Sequence, residues 1–405
     1  MAIQTVSTAG NGQALDSAVR TRYLADYIRG ARYARLYDQF ATPVGQDMSR
    51  LARGSSVTLN FLGDMEPGTS AISEVVDITP QVLEDSTTSI TPTSRAEALQ
   101  SSELLMLQAY TNYGQERFYA LGKNMMETVD LQAQAAALSG DIVLRAAARA
   151  SLDAGTSTHR ADDSVFRDAH TRLITLKTPG WEMEMGPTWG AAMHPAVYHD
   201  VREGGNVVEV AKYSQPEILL RWELGMLGPF KLIVSPWAKV FGGAGLDASD
   251  VIATTLTAAA SALDKTITLA TVTHLDDASQ KWFTIGTEET DSTHYATNER
   301  VLFISHAAGV ASIVGEASNG GLRFDHAAGT AVRNADSVYT IVFGGPQSLA
   351  KVYQPSIGEY GEVVGPERTG LAKQFISMAW KWYGGYGLIA QNRIVRAEVS
   401  SSADA

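Results

Sequence analysis

The sequence predicts an α+β protein, and three observations carry that prediction. Apolar residues make up 45% of the 405 and charged residues only 19%, so the chain can bury a sizeable core, and its length allows two or three compact units. Its 36 glycines, with heavy use of Thr, Ser and Ala, point to many strands and turns. Against that β-rich background stands one long helical stretch, Tyr110 to Gly140. Phe118, Leu121, Met125, Val129, Ala133 and Ala136 recur three or four residues apart and share one helix face, with Gln115, Lys123, Asp130 and Gln134 elsewhere around it. Asn112, with Gln115 three residues on, is placed to cap the start, and Gly140 to end the last turn in a left-handed conformation. At 1.5 Å per residue the helix is roughly 40 Å long and needs an extended partner surface.

In chain order, residues 1–53 form a mildly basic arm, with seven arginines against four aspartates. Between Leu15 and Phe40 tyrosines and leucines recur at helical spacing, which fits a solvated amphipathic helix as well as a partner-binding one. From 54 to 100 the character changes. Val57, Leu59 and Phe61 alternate with polar residues, and a second β-type run, STTSITPTS, occupies Ser86 to Ser94. The long connection between them, with Gly63, Pro67, Gly68 and Pro80, fits a projecting loop better than a compact interior. This stretch carries seven carboxylates against Arg95 alone, so an acidic hairpin follows a basic arm.

After the long helix, Asp141 to Ala146 reads as a short strand, and Asp162 or Asp163 caps a helix bearing Val165, Phe166, Ala169, Leu173 and Leu176. TWGAAMHPAVYHDVRE reads as a strand entering His194-Pro195 and a short helix. Gln215 to Leu224 reads as a further helix, and Gly225 and Gly228 punctuate before a strand at Phe230 to Ser235. Residues 246–336 shift to short polar β runs, KWFTIG, ERVLFIS, ASIVG and GLRF, consistent with a small β-barrel or sandwich inserted into a host domain. The host resumes at SVYTIVFGG, whose apolarity suits a buried central strand. Gln354 to Lys373 reads as a loop. The chain closes as two strands around a Gly-rich bend at Gly384, Gly385 and Gly387, followed by a frayed SSSADA tail.

The same sequence excludes several chemistries. It has no cysteine, hence no disulfide, no cysteine-ligated zinc and no thiol nucleophile. A net charge of −12 argues against a general nucleic-acid-binding surface. The first residues lack signal-peptide character and no apolar run approaches a membrane span, so the expectation is a soluble, unexported chain. There is no GxSxG elbow, Walker loop or HExxH; His194 and His199, five apart, miss the spacing of a metal-binding helix. GGAG at Gly242 to Gly245 and GGYG at Gly384 to Gly387 lack phosphate-loop spacing and read as turns. Asp276, Asp277, Glu288, Glu289 and Asp291 read as solvated loops rather than a cation site, and Trp380 and Trp382, two apart in a strand, as core. No catalytic residue, cofactor or metal ligand emerges, so the expectation is a protein that is not an enzyme.

Four stretches, ETVDLQAQAA, WGAAMHPAVYHDVRE, VVEVAKYSQPEILLRWELGMLGPFKLIVSPWAKVF and MAWKWYGGYGLIAQNRIVRAEV, resemble segments of the podovirus-type branch of tailed-bacteriophage major capsid proteins, and they occur here in that order. The resemblance implies the Hong Kong 97 fold. Residues 1–53 would be the N-terminal arm, 54–100 the extended loop, 101–180 and 360–400 the peripheral domain with its spine helix, 181–245 and 337–359 the axial domain, and 246–336 an inserted domain standing on the outer shell surface. It implies a virion protein, assembled in the host cytoplasm, that forms hexamers and pentamers around packaged double-stranded DNA without a membrane. Its partners would be a separate scaffolding protein, a portal and a decoration protein. The chain departs from the type member, which cross-links its shell through an extended-loop lysine, because no lysine occurs before Lys123. Contacts between subunits must then be noncovalent, and the opposite charges of arm and loop suggest pairs between Arg20, Arg22, Arg29, Arg32 or Arg35 and Glu66, Glu74, Asp77, Glu84 or Asp85. An encapsulin-like shell and a non-catalytic β-rich binding protein are the competing readings.

Overall fold

The computed structural model describes residues 27–29, 36–44, 56–62, 80, 85–108, 113–147, 149–152, 156–183, 186–204, 225–245, 253–272, 282–286, 298–307, 309–315, 317, 319–333, 335–354, 356–369 and 374–404. Among these described residues strands outweigh helices, 45% to 26%. In chain order the strands begin with β1 (Ala41–Pro43), β2 (Val57–Leu62), β3 (Asp85–Ile90), β4 (Thr93–Ser102), β5 (Val143–Leu144), β6 (Trp181–Met183) and β7 (Gly186–Met193). Next come β8 (Met226–Leu227), β9 (Phe230–Val234), β10 (Val240–Gly245), β11 (Ala253–Thr255), β12 (Thr266–Thr268), β13 (Trp282–Ile285) and β14 (Glu299–Ala307). The last are β15 (Val310–Val314), β16 (Ala331–Arg333), β17 (Ala335–Gly344), β18 (Leu349–Tyr353), β19 (Glu362–Thr369), β20 (Phe375–Leu388) and β21 (Ile394–Val399). Among the described residues the α-helices of six residues or more are α1 (Glu103–Gln108), α2 (Tyr113–Leu138), α3 (Asp163–Thr175) and α4 (Pro195–Glu203). They pack as two compact units, one of Met1–Arg35, Ala41–Ala133 and Leu349–Ala390, the other of Leu36–Phe40, Gln134–Ser348 and Gln391–Ala405.

In the first unit β20 is the axis of a five-stranded sheet: β4 lies along one edge, β19 and β18 along the other, and β1 continues beyond β18. Met378, Trp380 and Trp382 alternate along β20 onto the face that meets Phe118, Leu121, Met125, Met126 and Val129 of α2. Burying two tryptophans against one stripe is what gives so long a helix its partner surface. Trp380 Nε1 donates to Asn124 Oδ1 at 3.0 Å, so the indole loses no hydrogen bond on burial. β2 and β3 form a separate two-stranded ribbon, register Val57 to Ile90 and Leu62 to Asp85.

In the second unit an eight-stranded sheet runs β5-β21-β17-β7-β9-β8, with β10 also on β17 and β6 on β7. Tyr339 to Phe343 are all fully buried, and Phe166, Ala169 and Leu173 of α3 and Val197 and Val201 of α4 share their core. Asp162 caps α3 by accepting from Ser164 N and Val165 N. β11 to β16 form their own sheet, order β11-β16-β13-β14-β15-β12. Thr257 N donates to Thr268 O and Ala270 N to Thr255 O, both at 2.9 Å, joining β11 to β12 and closing the six strands into a barrel. Its interior is Leu256, Ile267, Phe283, Ile285, Val301, Phe303, Ile313 and Val332 among others.

Several expectations are corrected. The chain runs as one unbroken strand, β20, through Gly384, Gly385 and Gly387, where a bend was expected. The glycines serve close approach, since a Cβ at Gly384 would lie 2.4 Å from Val352 O and one at Gly387 2.6 Å from Ile90 Cγ1. GGAG likewise belongs to a strand, β10. Gly140 is not left-handed; its missing Cβ leaves room for Ile394 Cγ2, 2.6 Å from where that atom would sit. Asp130 and Gln134, off the apolar stripe, are also buried, and Gln134 Nε2 donates to Trp237 O at 2.7 Å; Ala137, not Ala136, completes the buried stripe. The expected loop at 354–373 contains β19, which pairs with β20 across a register shift between Val364 and Glu367. STTSITPTS splits at Thr91-Pro92 between β3 and β4, because Pro92 has no amide for a ladder. The tail is docked: Ser400 N donates to His159 O, Ser401 Oγ to Ala196 O and Ser402 N to Asp200 Oδ2. Asn112, the run Gln215 to Leu224, and Asp276, Asp277, Glu288, Glu289 and Asp291 lie outside the described residues.

Candidate assembly surfaces

Several buried polar side chains hold the fold together. His194 Nδ1 accepts from Ala196 N at 3.1 Å, capping α4. His326 Nε2 lies 2.7 Å from Glu299 Oε1, and that carboxylate also accepts from Arg323 N and Phe324 N. Glu398, fully buried in β21, accepts from Arg149 Nε at 3.0 Å and Nη2 at 2.6 Å, with Arg145 at 3.5 Å and Arg396 Nε at 3.2 Å. Burial pushes the Arg396 guanidinium down from its ordinary range, and Glu398 beside it works the other way. Among the described residues no three His, Asp or Glu side chains converge as a metal site, and no helix is long and apolar enough to cross a membrane.

Thr93 to Gln100 of β4 are exposed throughout, on a strand whose one edge pairs with β20 from Thr93–Gly384 to Ser102–Phe375. β19 flanks the same part of β20, and Arg368–Glu103 (2.9 Å) and Lys381–Glu362 (2.9 Å) pair across this three-stranded stretch. Leu99, Leu104, Leu105, Val364 and Phe375 leave large apolar surfaces exposed there.

Of the residues expected to join subunits, Arg29 is exposed at the end of a helical turn whose Tyr27 is buried, and Asp85 opens β3 opposite Leu62. Arg20, Arg22, Arg32, Arg35, Glu66, Glu74, Asp77 and Glu84 lie outside the described residues. The exposed β4 edge escaped sequence reasoning, because the mixed run TSRAEALQSS shows no clean alternation and nothing in it tells which edge β20 takes.

No family model and no curated protein matches the chain. Among solved structures, the capsid of cyanophage Pam1 is similar over 99% of this chain and 100% of its own, at 10% identity and a TM-score of 0.52. The acid-stable capsid structure of Helicobacter pylori bacteriophage KHP30 is similar over 99% and 95%, at 10% identity and a TM-score of 0.50. The long helix against β20, the sheet centred on β17 and the ribbon of β2 and β3 thus belong to one architecture, and the chain has the Hong Kong 97-type fold of phage capsid subunits.

Proposed function

We propose that this chain is a tailed-phage major capsid protein, which assembles as hexamers and pentamers into an icosahedral head around double-stranded DNA and performs no catalysis. The observation that carries the reading is likeness to capsid subunits over nearly the full length of both chains, where a shared single domain would cover only part. The four ordered stretches support placement in the podovirus-type branch. The protein resides in the virion after assembly in the host cytoplasm, and works with a separate scaffolding protein, a portal and a decoration protein. Residues 1–53 form the arm, 54–100 the extended loop, 101–180 and 360–400 the peripheral domain, 181–245 and 337–359 the axial domain, and 246–336 a domain on the outer shell. Noncovalent pairs between Arg20, Arg22, Arg29, Arg32 or Arg35 and Glu66, Glu74, Asp77, Glu84 or Asp85 link neighbouring subunits; each is worth roughly 0–1 kcal/mol, and repetition over a shell multiplies them.

Electron microscopy of the expressed chain, alone and with a co-expressed scaffolding protein, tests the reading. Closed particles or capsomer sheets are expected, and a monodisperse monomer under every condition would falsify it. Arg-to-Gln changes in the arm should lower the disassembly temperature of DNA-free shells; an effect confined to DNA-filled particles would assign the arginines to DNA instead.

A further inference from the structure

We infer that β4 pairs with the same strand of a second copy of this chain, antiparallel about a twofold axis at Ala96. This deepens the shell reading and rests on it for the setting that brings copies together. Among the described residues no strand runs along the outer edge of β4. Glu103 N donates to Gln374 O at 2.7 Å, and the register with β20 continues unbroken to Thr93. In an antiparallel ladder this parity turns the backbone groups of odd-numbered residues inward to β20 and those of Ser94, Ala96 and Ala98 outward. Among the described residues the outward Ala98 N donates only to its neighbour's carboxylate, Glu97 Oε1 at 3.3 Å. Such a row of outward amides and carbonyls is a template for another strand.

Charge selects the register. Centring the axis on Arg95 sets arginine against arginine, and centring it on Glu97 sets carboxylate against carboxylate. Centring it on Ala96 places Arg95 opposite the partner's Glu97 and Glu97 opposite the partner's Arg95. Both then fall at non-hydrogen-bonded positions, where Cα atoms are about 4.5 Å apart and side chains meet most closely. The outward residues supply the hydrogen-bonded pairs, Ala96 with itself and Ser94 with Ala98, all small enough for two sheets to join flat. Leu99, 36% exposed, meets Thr93 of the partner subunit.

The chain has no cysteine, so one introduced thiol reports the axis. A hydrogen-bonded antiparallel pair sets Cα atoms about 5.5 Å apart, within disulfide reach. Ala96→Cys in the full chain should therefore give a covalent dimer under mild oxidant. Ser94→Cys should not, because the two copies of position 94 lie roughly 13 Å apart in this register. Adding Arg95→Glu to Ala96→Cys should slow cross-linking about tenfold, and adding Glu97→Arg as well should restore it. Particles in which Ala96→Cys fails to cross-link, or Ser94→Cys cross-links equally, or the charge swap fails to rescue, overturn the pairing. If the chain stays a monodisperse monomer under every condition, the shell reading fails, and covalent dimer formation by Ala96→Cys against Ser94→Cys in the concentrated chain still decides whether β4 pairs with itself.

Discussion

The eight-stranded sheet and the barrel each bury a glutamate carboxylate, and they neutralise it by different means. Glu398 of β21 is held by Arg396 on its own strand and by Arg145 and Arg149, the latter 249 residues away in sequence. Glu299 of β14 is held by His326 and by the backbone amides of Arg323 and Phe324, all within 27 residues. The first ties together segments 249 residues apart in sequence around guanidiniums that stay charged at any ordinary pH. The second locks one loop of a barrel whose strands pair only among themselves among the described residues. The host sheet is therefore assembled by long-range contacts, while the barrel is a local structure, and the chemistry of each buried charge follows that division.

The largest effect belongs to Glu398. Glu398→Gln leaves three guanidiniums facing one neutral amide, Arg396 among them, and breaking a buried ionic cluster costs about 3–5 kcal/mol. Urea unfolding of the unassembled chain should show that loss, and a change under about 1 kcal/mol would mean solvent already screens the cluster. Glu299→Gln should cost less, about 1–3 kcal/mol, because the amide retains one acceptor but turns donors toward a backbone N–H. Hydrogen exchange should confine that loss to the barrel. Equal costs for the two substitutions, or exchange spreading into β17, would erase the distinction between local and long-range assembly.

Replacing the barrel, 253–333, with a short Gly/Ser linker tests the same distinction by removal. Gly245 and Ala335 are register partners, so a few residues bridge the gap. The host loses Arg323 stacked on Trp237 (3.5 Å) and Arg300 Nη2 donating to Ala403 O (3.0 Å), together about 1–2 kcal/mol. Circular dichroism should retain the host's helix signal; collapse of all folded structure would show that the barrel templates its host.

Local order was legible in the sequence and long-range order was not. The periodicity of α2, the Asp162 cap, the alternation of β2 and the short polar strands of the barrel are each set within about a dozen residues, and pattern reading finds them. The bend expected at Gly384 failed because its glycines answer Val352 and Ile90, neighbours that only the folded sheet supplies. The burial of Asp130 and Gln134, which lie off the apolar stripe, was not legible for the same reason, since the Trp237 carbonyl that satisfies Gln134 lies 103 residues away. The tail looked frayed because nothing local shows that Asp200 receives Ser402. The assembly surface divides likewise: opposite charges of arm and loop are visible in composition, whereas the free edge of β4 becomes visible only once β20 has taken the other one.

The smallest expected effect calibrates the two carboxylates against a buried polar group that carries no charge. Tyr27 is fully buried beside Gly122 of α2, and its hydroxyl donates to Tyr360 O at 3.0 Å. Burial pushes its phenol well above the ordinary tyrosine range. At neutral pH Tyr27→Phe removes one hydrogen bond and should cost about 0.5–1.5 kcal/mol. The pH dependence has a definite sign. Below the unfolded tyrosine value of about 10 the phenol is protonated in both states and its contribution is fully present. Above it, the unfolded chain releases the proton while the folded chain keeps it, so stability falls as pH rises toward the folded value. Phenylalanine lacks that slope. In paired urea titrations from pH 8 to 11, wild type should lead at first, and its lead should shrink beyond pH 10. A lead that stays constant to pH 11 would mean that water reaches the phenol, leaving the turn at 27–29 outside the core that Trp380 and Trp382 define.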